Sequence, residues 1–170
     1  MRDWRETARA AKTFVRDLPA APTKVVGQQE DTDFMIPTAL YSNTRDNIEE
    51  ICRQINLAYF HGVYDGAAVL VRKVVEMLLI LSFKHHAQEH LIKDGSGNYQ
   101  DLSLIVKEAC QNTVLDFSRN AKEYLELFRE KGNLSAHNPF HLSTKKDLEL
   151  LQPKIRHLFQ ELLFKAGIRI

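Results

Sequence analysis

The sequence predicts an all-α protein, an up-and-down bundle of four to five helices with an N-terminal helical arm. Apolar residues recur at intervals of three and four along most of the 170 residues, which is the period of an amphipathic helix. No segment shows the sustained alternation of apolar and polar residues that is typical of a strand. Short polar connections join the helical segments, and such connections favour antiparallel neighbours.

Residues 1–41 are predicted to form an N-terminal helix followed by an irregular connector. The apolar stripe of this helix consists of Trp4, Ala8, Ala11, Phe14, Val15 and Leu18. The helix is expected to end near Pro19 and Pro22, because proline cannot continue the helical hydrogen-bond ladder. The connector extends to about Tyr41 and contains a glycine, a polar run and a proline.

Residues 42–170 are predicted to form the helical bundle. Its first helix is expected to be capped by one of the polar residues 42–44 and to end at Gly62. The second helix is expected to extend from about Gly66 to about Leu91. It is far more apolar than the first, and a helix that is apolar on most sides belongs at the centre of a core.

Three further helices complete the predicted bundle. A short one is expected at residues 101–110, and the next, with Thr113 as its cap, keeps the helical period toward Gly132. The last helix is predicted to begin with a capping sequence at residues 144–147. Pro153 is expected to kink this helix or to divide it in two.

The composition restricts the classes of partner and the compartment. The formal net charge of +1 gives no overall field that would attract nucleic acid, so any such partner must be recognised locally. Cys52 and Cys110 each lie in a helix-patterned segment, which is typical of small buried residues rather than of a disulfide framework. We therefore expect a reducing compartment. The longest apolar run, residues 74–81, is far shorter than the roughly 20 residues of a membrane span. We therefore expect a cytoplasmic protein with no membrane contact.

Several common motifs of catalysis are absent from the sequence. There is no phosphate-binding loop that ends in Gly-Lys-Ser, no Cys-x-x-Cys pair and no Gly-x-Ser-x-Gly elbow. His86 and His90 have a spacing that suits a metal, as do His137 and His141, but no Cys, Asp or Glu pattern completes either site. The sequence therefore predicts neither a metal nor a cofactor.

A charged pair interrupts the most apolar helix. Arg72 and Glu76 are four residues apart, so their side chains meet on one face of the helix. Such a pair is costly in an apolar environment unless both groups are hydrogen-bonded. The pair fits either a structural ion pair or a secondary site.

A second polar cluster is predicted in the segment FREKGNLSAHNPF. Arg129, Asn133 and His137 follow one another at intervals of four, and each such step turns a helix by only about 40°. If the helix continues through Gly132, the three side chains therefore share one face. Glycine costs up to about 1 kcal/mol in a helix interior, so Gly132 indicates a close backbone approach, a bend or a helix end.

Two interpretations of this cluster remain open. Imidazole moves protons near neutral pH and arginine stabilises charge on a phosphate, so the trio fits metal-independent cleavage of RNA. Alternatively, Gly132 and Asn133 end a helix, and His137 is buried and hydrogen-bonded within the bundle. A solvent-open cleft that contains Arg129 and His137 would favour the first interpretation.

The segments YDGAAVLVRKVVEMLL and FREKGNLSAHN together resemble the HEPN superfamily, in particular a bacterial branch with an Arg-x-x-Gly-Asn-x-x-x-His motif. The resemblance covers about residues 36–165 and includes IPTALYSNTRDNIEEI. It implies a helical bundle, commonly a homodimer. It also implies a candidate metal-independent endoribonuclease of a toxin, defence or RNA-processing system, in some cases with a partner protein such as an antitoxin.

The resemblance also implies roles for individual residues. His137 would assist attack by a ribose 2′-hydroxyl on the adjacent phosphate, Arg129 would stabilise the charge, and Asn133 would orient the pair. Arg129 lies further from His137 than the arginine of the family motif does, and Lys131, at the usual spacing, lacks the planar fork of arginine. The alternative function is a non-catalytic helical interaction or scaffold module.

Overall fold

A computed structural model describes residues 35–168, and the predicted helix of Trp4 to Leu18 lies outside the described residues. Within residues 35–168 the protein is a bundle of six α-helices without a β-strand, so the all-α prediction is confirmed. The helices are α1 (Thr38–Tyr41), α2 (Asp46–Phe60), α3 (Tyr64–His85), α4 (Leu102–Gln111), α5 (Arg119–His137) and α6 (Lys145–Lys165). A short 3-10 helix, Glu89–Ile92, lies between α3 and α4.

Helix α3 is the centre of the bundle, as its hydrophobicity predicts. It contacts α2, α4, α5 and α6, and the core forms where their apolar stripes meet. The largest side chains that are almost completely buried include Phe83, Phe159, Ile48, Ile55, Leu78, Leu79 and Leu125. Burial of each such side chain stabilises the fold by about 1.5–3 kcal/mol relative to exposure.

The C-terminal end of α3 comes earlier than predicted. The helix ends at His85 rather than near Leu91, because Ala87 has a φ of 56° and leaves the right-handed helical region. The amides of Ala87 and Gln88 donate to the carbonyls of Lys84 and Phe83, which satisfies the last turn of the helix. This type of helix end usually contains glycine, so the alanine gave no indication of it in the sequence.

The end of the predicted connector belongs to the bundle core. Met35 and Ile36 are buried, and the following residues form the single helical turn α1 rather than irregular chain. The buried side chain of Asn56 accepts from the backbone N–H of Ile36 at 3.0 Å and donates to its carbonyl at 2.9 Å. The segment before α2 is therefore held in the core by one amide side chain.

Two predicted helix caps are wrong and one is confirmed. No side chain caps α2, since the hydroxyl of Thr44 donates to the carbonyl of Tyr41 instead. Ser118, not Thr113, caps α5 and accepts from the N–H of Ala121. Thr113 lies in a turn, where the N–H groups of Val114 and Leu115 donate to the side chain of Asn112. The helix therefore begins only at Arg119. The capping box of α6 forms between Thr144 and Asp147, as predicted.

Of the two effects predicted for Pro153, a kink or a division, the division does not occur, because helix α6 is continuous from Lys145 to Lys165. Buried residues lie on both sides of the proline, including Leu151 and Ile155, and their packing holds the two halves together. Within residues 35–168, no helix combines the length and the hydrophobicity that crossing a bilayer requires.

Candidate functional site

The C-terminal half of α5 lines an open cleft of about 560 Å³. Its lining residues are Arg129, Glu130, Asn133, Leu134, His137, Asn138 and Pro139. The structure therefore brings together the three residues that the sequence selected, and adds an apolar side and the start of the following loop. Leu134 and Pro139 were not predicted to lie at the site, although Asn-Pro after a helix is a turn signal.

Helix α5 continues through Gly132 and ends at His137. The alternative in which Gly132 and Asn133 end the helix and His137 is buried is therefore wrong, because His137 is exposed. Each interval of four residues rotates the face by about 40°, so the trio turns progressively away from the core. The Arg129 side chain is 22% exposed, whereas His137 stands free at the helix end.

Arg129 is paired with two carboxylates of its own helix. Its Nε donates to Oε2 of Glu126 at 2.8 Å, and its Nη2 lies 3.6 Å from Oε1 of Glu130. These neighbours hold the guanidinium in position and compensate its charge. A phosphate at Arg129 would therefore have to compete with Glu126 and Glu130.

Asn133 and His137 have open hydrogen-bonding capacity. Among the described residues, the side chain of neither makes a hydrogen bond or an ion pair. An amide offers both donors and acceptors, and an imidazole offers one of each when neutral. The middle and the end of the trio are thus available to a ligand in the cleft.

Gly132 lies against Arg72 of helix α3. A Cβ atom at position 132 would be 2.5 Å from Cβ, 2.7 Å from Cδ and 3.0 Å from Cγ of Arg72. Of the meanings that the sequence allowed for this glycine, close backbone approach is therefore the correct one. The two polar features of the sequence meet at this point, one on α3 and the other on α5.

The predicted contact between Arg72 and Glu76 forms, but it is loose. Nη1 of Arg72 lies 3.5 Å from Oε2 of Glu76, and the two side chains are 29% and 31% exposed. Nε of Arg72 is buried and has no hydrogen-bond partner among residues 35–168. A buried donor without a partner is uncommon in proteins and calls for a physical explanation.

The loop that follows α5, residues 138–144, is held at both ends. The side chain of Asn138 accepts from the N–H of Phe140 at 3.0 Å, and Asp65 of α3 accepts from the N–H of Ser143 at 3.0 Å. Desolvation alone would raise the pKa of Asp65, but hydrogen bonds from Ser143 and Ser135 lower it below its usual value. The loop presents Phe140, which is 95% exposed, beside the cleft.

Burial affects both cysteine thiols of the chain. Burial raises the pKa of the Cys52 thiol to about 12, so this cysteine is not a nucleophile at neutral pH. Cys110 is half-buried, and its pKa is also raised, mainly by burial. Among residues 35–168, no three His, Cys, Asp or Glu side chains lie together in a way that could hold a metal ion.

Comparisons of the chain with protein-family models, with curated proteins and with solved structures found no match. The protein is therefore described by its structure alone, as an all-α bundle with an open cleft along the C-terminal half of α5.

Proposed function

We propose that the protein is a HEPN-like RNA-associated domain and a metal-independent endoribonuclease, with Arg129, Asn133 and His137 as its site. One observation supports this proposal above the others. An exposed histidine without a partner lies in the same open cleft as an arginine and an asparagine, on a helix that continues through Gly132.

The proposed reaction needs no metal. His137 accepts the proton of a ribose 2′-hydroxyl as its oxygen attacks the adjacent phosphorus. The bond from phosphorus to the 5′-oxygen breaks, which leaves a 2′,3′-cyclic phosphate and a 5′-hydroxyl. The 5′-oxygen takes its proton from an imidazolium, supplied in a homodimer by the His137 of a second copy. Asn133 orients Arg129 and His137.

Arg129 limits the expected rate. Stabilisation of the charge that develops on the phosphate is usually a large part of catalysis. Because Glu126 and Glu130 already engage the guanidinium, we expect slow cleavage that speeds up when one of these carboxylates is removed. The proposed setting is a cytoplasmic defence, toxin or RNA-processing system, with an antitoxin-like protein as a further partner.

Cleavage of mixed RNA in the presence of a metal chelator tests the proposal. The wild-type protein is expected to yield cyclic-phosphate ends, and His137→Ala to yield none. His90→Ala is the matched control, since His90 is exposed on the 3-10 helix, outside the cleft. Equal product from wild type and His137→Ala, or no product from either, would remove the enzyme proposal.

A non-catalytic interaction or scaffold module is the second candidate function. It is favoured by the apolar rim beside the cleft, where Phe140 is 95% and Leu142 is 79% exposed. The pairing of Arg129 with Glu126 also favours a non-catalytic module, because a compensated guanidinium stabilises a phosphate less well. A module of this kind would bind a protein at the rim and leave RNA intact.

A further inference from the structure

We infer that Arg72 is an anion-binding residue, whose guanidinium holds an RNA phosphate that flanks the phosphate at His137. The inference rests on the proposed function, because it extends the same RNA strand from the cleft on α5 toward α3. It adds a guanidinium from a second helix to a site that the sequence assigned to α5 alone.

The guanidinium of Arg72 is poorly paired within the described part of the chain. The only ionic contact of Arg72 among the described residues is the 3.5 Å approach to Glu76, and Nε has no partner. Charge-assisted hydrogen bonds are usually about 2.7–2.9 Å long. Because Nε is buried, the donors of Arg72 that an anion can reach are its two Nη groups, and the outer end of a planar guanidinium matches two oxygens of a phosphate.

Arg129 differs in this respect. Its Nε already donates to Glu126 at 2.8 Å, and Glu130 lies near its Nη2. Of the two arginines near the middle of α5, Arg72 is therefore the one whose guanidinium an incoming anion can engage with less competition.

Gly132 pre-organises the side chain of Arg72. Gly132 has no side chain, and the aliphatic stem of Arg72 fills the space that a Cβ would occupy. The stem is thereby fixed against α5 at Gly132, and less rotamer entropy is lost when an anion binds. The side chain remains 29% exposed, so its outer edge is open to a strand that leaves the cleft.

Two substitutions of Arg72 separate the fork from the charge. Arg72→Lys keeps the stem over Gly132 and the positive charge but loses the planar fork. Arg72→Met keeps most of the stem and loses the charge. Glu76→Gln removes the competing carboxylate, and Arg129→Lys provides the matched change on α5. Thermal unfolding of each variant shows whether the bundle is intact.

Fluorescence anisotropy with a labelled single-stranded RNA, over a series of salt concentrations, gives the readout. We expect Arg72→Lys to weaken binding by about tenfold, as for a lost charge-assisted hydrogen bond. Arg72→Met is expected to reduce the slope of log K against log salt by about 0.7, which corresponds to one phosphate contact. Glu76→Gln should tighten binding, and Arg129→Lys should change it less than Arg72→Lys does.

The outcomes distinguish this inference from the proposed function. If wild type binds RNA and folded Arg72→Lys and Arg72→Met variants bind equally well with the same salt slope, the inference is wrong and the function stands. If wild type binds no RNA, the proposed function is wrong, and titration with inorganic pyrophosphate then decides the role of Arg72. A shift of the Arg72 Nε–Hε resonance supports an anion site, and an unchanged resonance overturns it.

Discussion

Gly132 of α5 and Arg72 of α3 approach so closely that a Cβ on the glycine would lie 2.5 Å from the Cβ of the arginine. Real side-chain contacts do not reach this distance, so the two helices pack as they do only because residue 132 is glycine. The contact joins the polar face of α5 to the charged pair of α3. It therefore links the stability of the bundle to the geometry of the candidate site.

Gly132→Ala is expected to destabilise the protein. Overpacking costs about 1–3 kcal/mol, and a gain in helix propensity of about 1 kcal/mol offsets part of it. A Cβ only 2.5 Å from the Cβ of Arg72 is a severe overlap, so the overpacking cost here is about 2–3 kcal/mol, and we expect a net loss of about 1–2 kcal/mol in the free energy of unfolding, measured with urea. Gly95→Ala is the control, since a Cβ at Gly95 would meet nothing within 4 Å. Equal stability of the two variants would contradict the tight contact.

Asn56→Ala is expected to release the segment before α2. Removal of the side chain leaves the buried N–H and carbonyl of Ile36 without partners. The expected cost is roughly 2–3 kcal/mol, with faster hydrogen exchange at the Ile36 amide. Asn47→Ala, at an exposed position of the same helix, should have little effect. Unchanged exchange at Ile36 would show that the side chain does not hold this segment.

Glu89 is expected to make stability depend on pH. The hydroxyl of Tyr99, followed by the ammonium groups of Lys93 and Lys84, lowers the pKa of Glu89 to about 2. The unfolded value is about 4.3, so the stabilisation is complete above that pH and is lost as pH falls toward 2.

Glu89→Gln should therefore unfold at lower urea concentration than wild type near neutral pH, and the difference should shrink as the solution is acidified below about pH 4. The exposed Glu123 of α5 provides the comparison, and its Gln variant should show no such trend. A difference that is constant across the acid range would rule out this role for Glu89.

Phe140 is expected to contribute to self-association. It is 95% exposed, and burial of one phenylalanine is worth about 1.5–3 kcal/mol. Phe140→Ser should raise the dissociation constant of the proposed homodimer by at least about tenfold in sedimentation velocity. Phe164→Ser is the control, because Phe164 is 59% exposed but lies on α6. If both variants associate as wild type does, the rim is not the dimer contact.

Local patterns in the sequence were sufficient to predict much of the bundle. The apolar period identified α3 as central, and the capping box of α6 follows from the spacing of Thr144 and Asp147. The end of α3 was missed because Ala87 adopts a left-handed conformation that its sequence does not indicate. Such ends are decided by packing in three dimensions.

The candidate site could be predicted only in part. Intervals of four residues identified the shared face of Arg129, Asn133 and His137, since helix geometry alone determines it. The contact of Gly132 with Arg72 depends on how two helices pack, which local patterns do not specify. The pairing of Arg129 with Glu126 and Glu130 depends on side-chain conformations, and it was not predicted. The exposure of Phe140 depends on a loop conformation, which local patterns do not specify.

Nuclear magnetic resonance can show directly whether single-stranded RNA binds in the cleft on α5. A single-stranded RNA is titrated into the isotope-labelled chain, and backbone amide shifts are followed residue by residue. We expect the largest backbone amide shifts within residues 129–139, and a separate shift of the side-chain Nε resonance of Arg72. The backbone amides of α2 around Glu50 and Arg53 should stay unchanged. Shifts confined to another face, or none at saturating RNA, would contradict binding of RNA in this cleft.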